Sequence, residues 1–150
     1  MAYLVKAELT SAIREYQLDA ITDGDDTIID IAIETAIEEV GSMLTPNNMK
    51  VWEDGRLAYD MAAEFANAGA ARNALMLTNV KTVTIWHLIG LCNTGLVYKD
   101  AQDRYDRAIA YIRGLANGTN NSATLPKVAA DPPPDQMPYQ SDSRPKFHHE

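Results

Sequence analysis

The chain has 150 residues, 46% of them apolar, a net charge of −8 and a pI of about 4.8. That length suits one domain around one core. The acidity excludes a general nucleic-acid binder, which needs a basic face, and a protein that docks on anionic membranes.

The opening residues, MAYLVKAELTSAIREY, hold no apolar core ahead of a cleavage site, so no secretory leader is expected. Leu9, Ile13, Tyr16 and Leu18 predict a short first helix, with Glu8 in its first turn where an acid suits the helix dipole. An acidic turn, DGDD, follows. Thr27 then reads as the cap of a second helix, with Asp30 closing a weak capping box. Ile29, Ile33, Ala36, Ile37, Val40 and Met43 or Leu44 share one face, and Pro46 ends the helix. From there the pattern is mixed: Leu57, Met61 and Phe65 line a possible helical face, and ANAGAARN reads as a loop. So long a connection in a small bundle is usually mobile or functional.

The segment NVKTVTIWHLIGLCN holds a β-branched run that favours a strand by propensity. It is also apolar almost all round over some thirteen residues, which favours a central buried helix, capped by Thr78 or Asn79. Helix is the better reading. No apolar run approaches the roughly 20 residues of a membrane span. The last helix is the clearest: Tyr98, Ala101, Tyr105, Ala108, Ile109, Ile112 and Leu115 form one stripe. Asp100–Arg104 and Asp103–Arg107 are spaced as i,i+4 ion pairs on the wet side. Gly118 is placed to take the left-handed conformation that stops it. Beyond it lie six of the seven prolines and no repeating apolar face. The expectation is an all-α fold: a small bundle of about four helices, with a long loop between the second and third main helices. Residues 1–118 form the body and residues 119–150 an extended tail.

The stretch from Arg14 to Lys50 contains no base between its ends, and its acids suggest three kinds of chemistry. A calcium loop would place Asp23, Asp25, Thr27 and Glu34 at positions 1, 3, 5 and 12, but position 6 needs Gly and is Ile28. A di-iron bundle needs Glu-x-x-His pairs, and His87, His148 and His149 follow no Glu at that spacing. Phosphate cradles and the G-x-S-x-G elbow are absent. Cys92, the single cysteine, reads as a small buried hydrophobe, and His87 as a satisfied boundary residue. Neither a catalytic residue nor a metal or cofactor site is therefore expected. What remains is a solvated acidic stripe of Asp30, Glu34, Glu38 and Glu39. Its like-charge i,i+4 pairs cost about 0.2–0.5 kcal/mol each. Burying Ile33, Ile37 and Val40 contributes about 1.5–3 kcal/mol apiece, so the helix forms regardless.

Taken in order, the parts resemble a known family. MAYLVKAELTSAIREYQLDAIT, the turn DGDDTIID and the helix AIETAIEEVGSML are similar to the opening of the Mu-like prophage head–tail connector (adaptor, or head-completion) proteins of tailed phages. YDMAAEFANAGAARNALMLTNVKTVTIWHL looks like that family's loop and central helix, YKDAQDRYDRAIAYIRGLANGT its final helix, and YQSDSRPKFHHE its ending. TPNNMKVWEDGRLA is extra relative to the family's short link. The resemblance implies a structural virion protein, not an enzyme. Such a protein forms a ring, naturally of twelve copies, beneath the portal in the neck, and is made in the bacterial host cytoplasm. It extends the channel through which packaged DNA passes and offers a tail or stopper protein a docking surface. The acidic stripe would face that channel or a neighbouring copy, offering phosphates few counterions. The 32-residue tail spans roughly 30 Å as a coil. Its aromatic and cationic residues Tyr139, Arg144, Lys146, Phe147, His148 and His149 would anchor it on the portal, the tail or a neighbour. Two other classes compete. One is a small soluble binding or regulatory module with a groove around Trp52; the other is an enzyme built on His87 and Cys92.

Overall fold

The segment expected as one first helix is two. In the computed structural model, which describes residues 2–45, 57–92 and 98–128, α1 spans Lys6–Leu9 and α2 spans Glu15–Thr22. Leu9 and Leu18 are fully buried, but Tyr16 is 71% exposed, because the break re-aims α2. α2 ends on Asp23 and Gly24, both in the left-handed region (φ 53° and 76°). Lys6 holds the corner, reaching Asp19 at 3.2 Å and Asp26 at 2.7 Å.

α3 (Asp26–Leu44) starts one turn-residue earlier than expected. Its cap is Asp25, whose carboxylate accepts from the Thr27 backbone N–H (2.9 Å) and hydroxyl (2.6 Å). Asp25 wins because a carboxylate two residues ahead offers both donors one acceptor at the positive end of the helix. Ile29, Ala32, Ile33, Ala36, Val40 and Leu44 are buried at steps of three and four, the period of one helical face.

The long connection has structure in its second half. Tyr59 pairs with Lys127 in an isolated antiparallel bridge, α4 spans Met61–Ala66, and a 3-10 turn covers Gly69–Ala71. Of the apolar residues expected on its face, Met61 is buried, Phe65 packs on the core and Leu57 is exposed. Trp52 and most of the inserted link lie outside the described residues.

The β-branched segment is helical. α5 runs Ala74–Cys92, and Val80, Val83 and Leu88 are completely buried. Packing against both α3 and α6 overrides strand propensity. By length and composition α5 would span a membrane, with a mean hydropathy of 1.3, which corrects the expectation that no run approaches that size. Here it is the central helix of the bundle. Thr78 and Asn79 lie inside it and do not cap it; the cap is Asn73, whose side-chain oxygen accepts from the Met76 N–H at 2.8 Å. Thr84, fully buried, returns its hydroxyl to the Val80 carbonyl. Asn79 Nδ2 is buried without a partner among the described residues.

α6 (Tyr98–Asn117) buries Ala108, Ile109, Ile112 and Leu115 as expected, while Tyr98 is 56% exposed. Arg107 Nε donates to the Asp103 backbone carbonyl, its own i−4 residue, and not to the carboxylate. Gly118 takes φ 83° and ends the helix.

The chain does not leave the body there, which corrects the boundary at residue 118. Asn120 N–H returns to the Gly114 carbonyl, Ser122 N–H donates to the Tyr59 hydroxyl, and Leu125 is 3% exposed. The bridge then fixes Lys127. A single buried leucine and a few backbone hydrogen bonds hold this stretch without any apolar period. The body therefore extends through residue 128. Residues 129–150 lie outside the described ones.

Asn73 ties this return to the bundle, because its Nδ2 also donates to Thr124 Oγ1 at 2.6 Å. Asn73→Ala is expected to destabilise the protein by about 1–2 kcal/mol, the size of a lost cap, read as a lower urea midpoint at unchanged slope. Asn73→Asp, which keeps the acceptor, is expected to recover most of that loss.

Candidate interaction surface

α3 presents two different acidic faces. Asp30, Glu34 and Glu38 recur every four residues and are all exposed. Glu39 was expected in the same row, and the structure corrects this. One residue on from Glu38 turns the helix by about 100°, to the margin of the buried face beside Ala36 and Val40. There Glu39 is only partly exposed and meets α5 and α6.

Both Glu39 oxygens are used. The Tyr105 hydroxyl donates to Oε1 at 2.5 Å, and His87 Nε2 lies 2.7 Å from Oε2. A carboxylate only accepts, so His87 Nε2 carries the donated proton and Nδ1 is left for other partners. His87 is thus a boundary residue satisfied by an acid, as expected of it. Burial, the hydrogen bond to Glu39 and its negative charge push the Tyr105 phenol up to about 12. A proton held more tightly in the folded state stabilises that state in full below the ordinary tyrosine value of 10. That contribution is expected to fade as pH rises from about 10 to about 12. Absorbance of the phenolate in Tyr105→Phe against the parent chain checks this: the late-titrating fraction should vanish in the variant.

Trp86 stacks on Tyr105 with ring centroids 5.1 Å apart and planes at 22°, and meets Tyr98 on its other flank at 5.1 Å and 52°. Below these rings a cleft of about 210 Å³ is lined by Trp86, His87, Gly90, Leu91 and Tyr98. Leu91 and Tyr98 are each 56% exposed at its rim. The absence of a side chain at Gly90 helps keep the floor open; nothing lies within 4 Å of where its Cβ would be. Such a site can hold an apolar or cationic side chain, the latter against aromatic faces. Cys92, one residue past Leu91, is partly exposed.

A second polar cluster is closed. Glu64, 1% exposed, accepts from the Tyr3 hydroxyl (3.0 Å) and the Asn73 backbone N–H (2.8 Å). Arg72 lies over the Tyr3 ring, donates to the Tyr3 carbonyl and grips the Glu8 carboxylate with both terminal nitrogens. That grip holds the Glu8 carboxyl below its usual range. With every Arg72 nitrogen engaged and Tyr3 buried, this cluster clamps the N-terminal arm and leaves no room for a ligand.

Among the described residues no three His, Cys, Asp or Glu side chains converge to hold a metal ion. Within the stretch compared to a calcium loop, Asp25 is committed to capping α3. Tyr139, Arg144, Lys146, Phe147, His148 and His149 lie outside the described residues. Sequence reasoning missed the Glu39–His87–Tyr105 contact and the Trp86 cleft, whose members come from two helices or three. The one local signal was a row of acids running four apart with a fifth member out of step. No family model, curated protein or solved structure matches the chain.

Proposed function

We propose that this chain is a structural adaptor of the head–tail junction of a tailed phage, forming a ring beneath the portal that extends the DNA channel. The reading rests on the ordered resemblance of the chain's segments to the connector family. The structural observation that carries it is the row Asp30, Glu34 and Glu38, exposed on a long helix whose opposite face is anchored in the core. No lysine or arginine falls between Arg14 and Lys50 to neutralise that row. Lining a channel, it would repel the backbone of passing DNA and let it slide without binding. The tail residues 139–149 would dock on the portal, a tail-completion protein or a neighbouring copy. The protein acts as scaffolding, without a catalytic step or cofactor, and its place is the neck of the virion.

Imaging of purified particles tests this directly: density for the chain is expected as a ring below the portal, and a neck lacking this polypeptide refutes it. The triple change Asp30→Lys, Glu34→Lys and Glu38→Lys touches only exposed positions. It is expected to leave the circular dichroism spectrum and ring assembly intact while lowering infectivity at least tenfold, a loss that high salt in the ejection assay partly restores. A second reading, a soluble helical binding module, draws on the cleft beside Trp86. It predicts a stable complex with a partner in cells that assemble no particles.

A further inference from the structure

We propose that the cleft beside Trp86 is the docking site of the chain's own C-terminal segment, Ser143–His149, which folds back along the bundle in the free protein. The inference does not rest on the virion reading. It starts from an unpartnered aromatic cleft: Trp86 flanked by two tyrosines, with Leu91 and Tyr98 each 56% exposed at the rim. His87, one of its walls, carries the Glu39 carboxylate behind it. Aromatic faces backed by an acid suit a cationic segment with an apolar anchor. At the start of α6 the exposed Lys99 and Asp100 offset one another, so Glu39 sets the sign of the charge.

The sequence holds one such segment. SRPKFHH carries Arg144, Lys146 and Phe147 with no acid, which leaves 11 of the 13 bases against all 21 acids elsewhere in the chain. Its only other phenylalanine, Phe65, is packed against the core and Tyr3. Reach is adequate. The described chain ends beside the start of α5, where Thr124 meets Asn73 and Val128 N–H donates to Ala58. From Asn73 to Trp86 is about 20 Å along the helix axis. The sixteen residues from Val128 to Arg144 span roughly 20–24 Å as a coil, and the intervening prolines lengthen that. Tethering then favours the chain's own cleft over a neighbour's, because the local concentration of a short tether is about millimolar.

The test uses the full chain with a nitroxide on Cys92, the single cysteine, beside the cleft. Expected is a several-fold loss of amide signal intensity for residues 144–149 relative to residues 131–136, independent of protein concentration. The paired change Arg144→Gln and Phe147→Ser is expected to abolish it for the residues that remain. No selective loss overturns the proposal and leaves the cleft to solvent or to residues 93–97. Broadening seen only when labelled and isotope-enriched chains are mixed also overturns it, in favour of a second copy. Should the label perturb α5, Trp86 emission in a Trp52→Phe background decides. The paired tail change is expected to shift it to the red, and an unchanged spectrum sinks the idea.

Discussion

Glu64→Ala is expected to cost about 3–5 kcal/mol, a large part of the 5–15 kcal/mol that holds a typical domain together. The carboxylate is 1% exposed and accepts from two donors, the Tyr3 hydroxyl and the Asn73 N–H. Alanine strands both donors in a dry interior, at about 1–3 kcal/mol each, and leaves a void besides. Tyr3→Phe removes one donor and leaves Glu64 its second, so a loss of about 1–3 kcal/mol is expected. The double variant should cost less than the sum of the two, since the Tyr3 hydroxyl cannot be lost twice. Glu64→Gln keeps an acceptor oxygen and should fall well short of the alanine change. Urea unfolding measures all four chains. A Glu64→Ala loss under about 1 kcal/mol would mean that water reaches both donors and that the clamp is open in solution. The clamp matters because it joins three pieces far apart in the chain: the N-terminal arm, α4 and the first residue before α5.

Leu88→Ala is expected to cost about 2–5 kcal/mol, because Leu88 is fully buried in the helix that both α3 and α6 pack against. Leu91→Ala, three residues on in the same helix, is expected to cost under about 1 kcal/mol, because that side chain is 56% exposed. The contrast tests the orientation of α5, whose apolar residues surround it so evenly that periodicity assigns no face. Equal losses at the two positions would mean that α5 is rotated or that Leu91 is covered in solution. Thermal or chemical unfolding of the two variants settles it. The same pair bears on the cleft: if the C-terminal segment lies over Leu91, its alanine variant should weaken the nitroxide effect while the bundle's stability stays nearly unchanged.

How much of this could be read from residue order differs from element to element. α3 and α6 repeat their apolar residues every three or four positions, and that repeat alone put Ile29, Ile33, Ala36 and Val40, or Ala108, Ile109, Ile112 and Leu115, on the inside. Gly118 stopped α6 for a backbone reason equally local, a positive φ of 83°. α5 was legible as a helix only through its length and all-round apolarity, against its β-branched propensity. Its start was misplaced by about a turn, since Asn73 caps it from a stretch that reads as loop.

The acidic surface was half legible. Asp30, Glu34 and Glu38 follow from spacing alone, and burial of the opposite face leaves them in solvent. Glu39 does not follow: whether an acid at the margin of a helix face points to water or inward depends on what stands across from it. Here that is His87, 48 positions away, and Tyr105, 66 positions away. Tyr3 and Glu64, 61 apart, and Tyr59 with Lys127 belong to the same class. Composition and periodicity by themselves determined that this protein is all-α, acidic on one long helix and built around one apolar stripe per main helix, because those properties are set by a residue's near neighbours. Only the tertiary structure decided which polar groups turn inward, where the body ends and where a cleft opens, because each depends on distant residues meeting after the chain has paid the entropy of bringing them together.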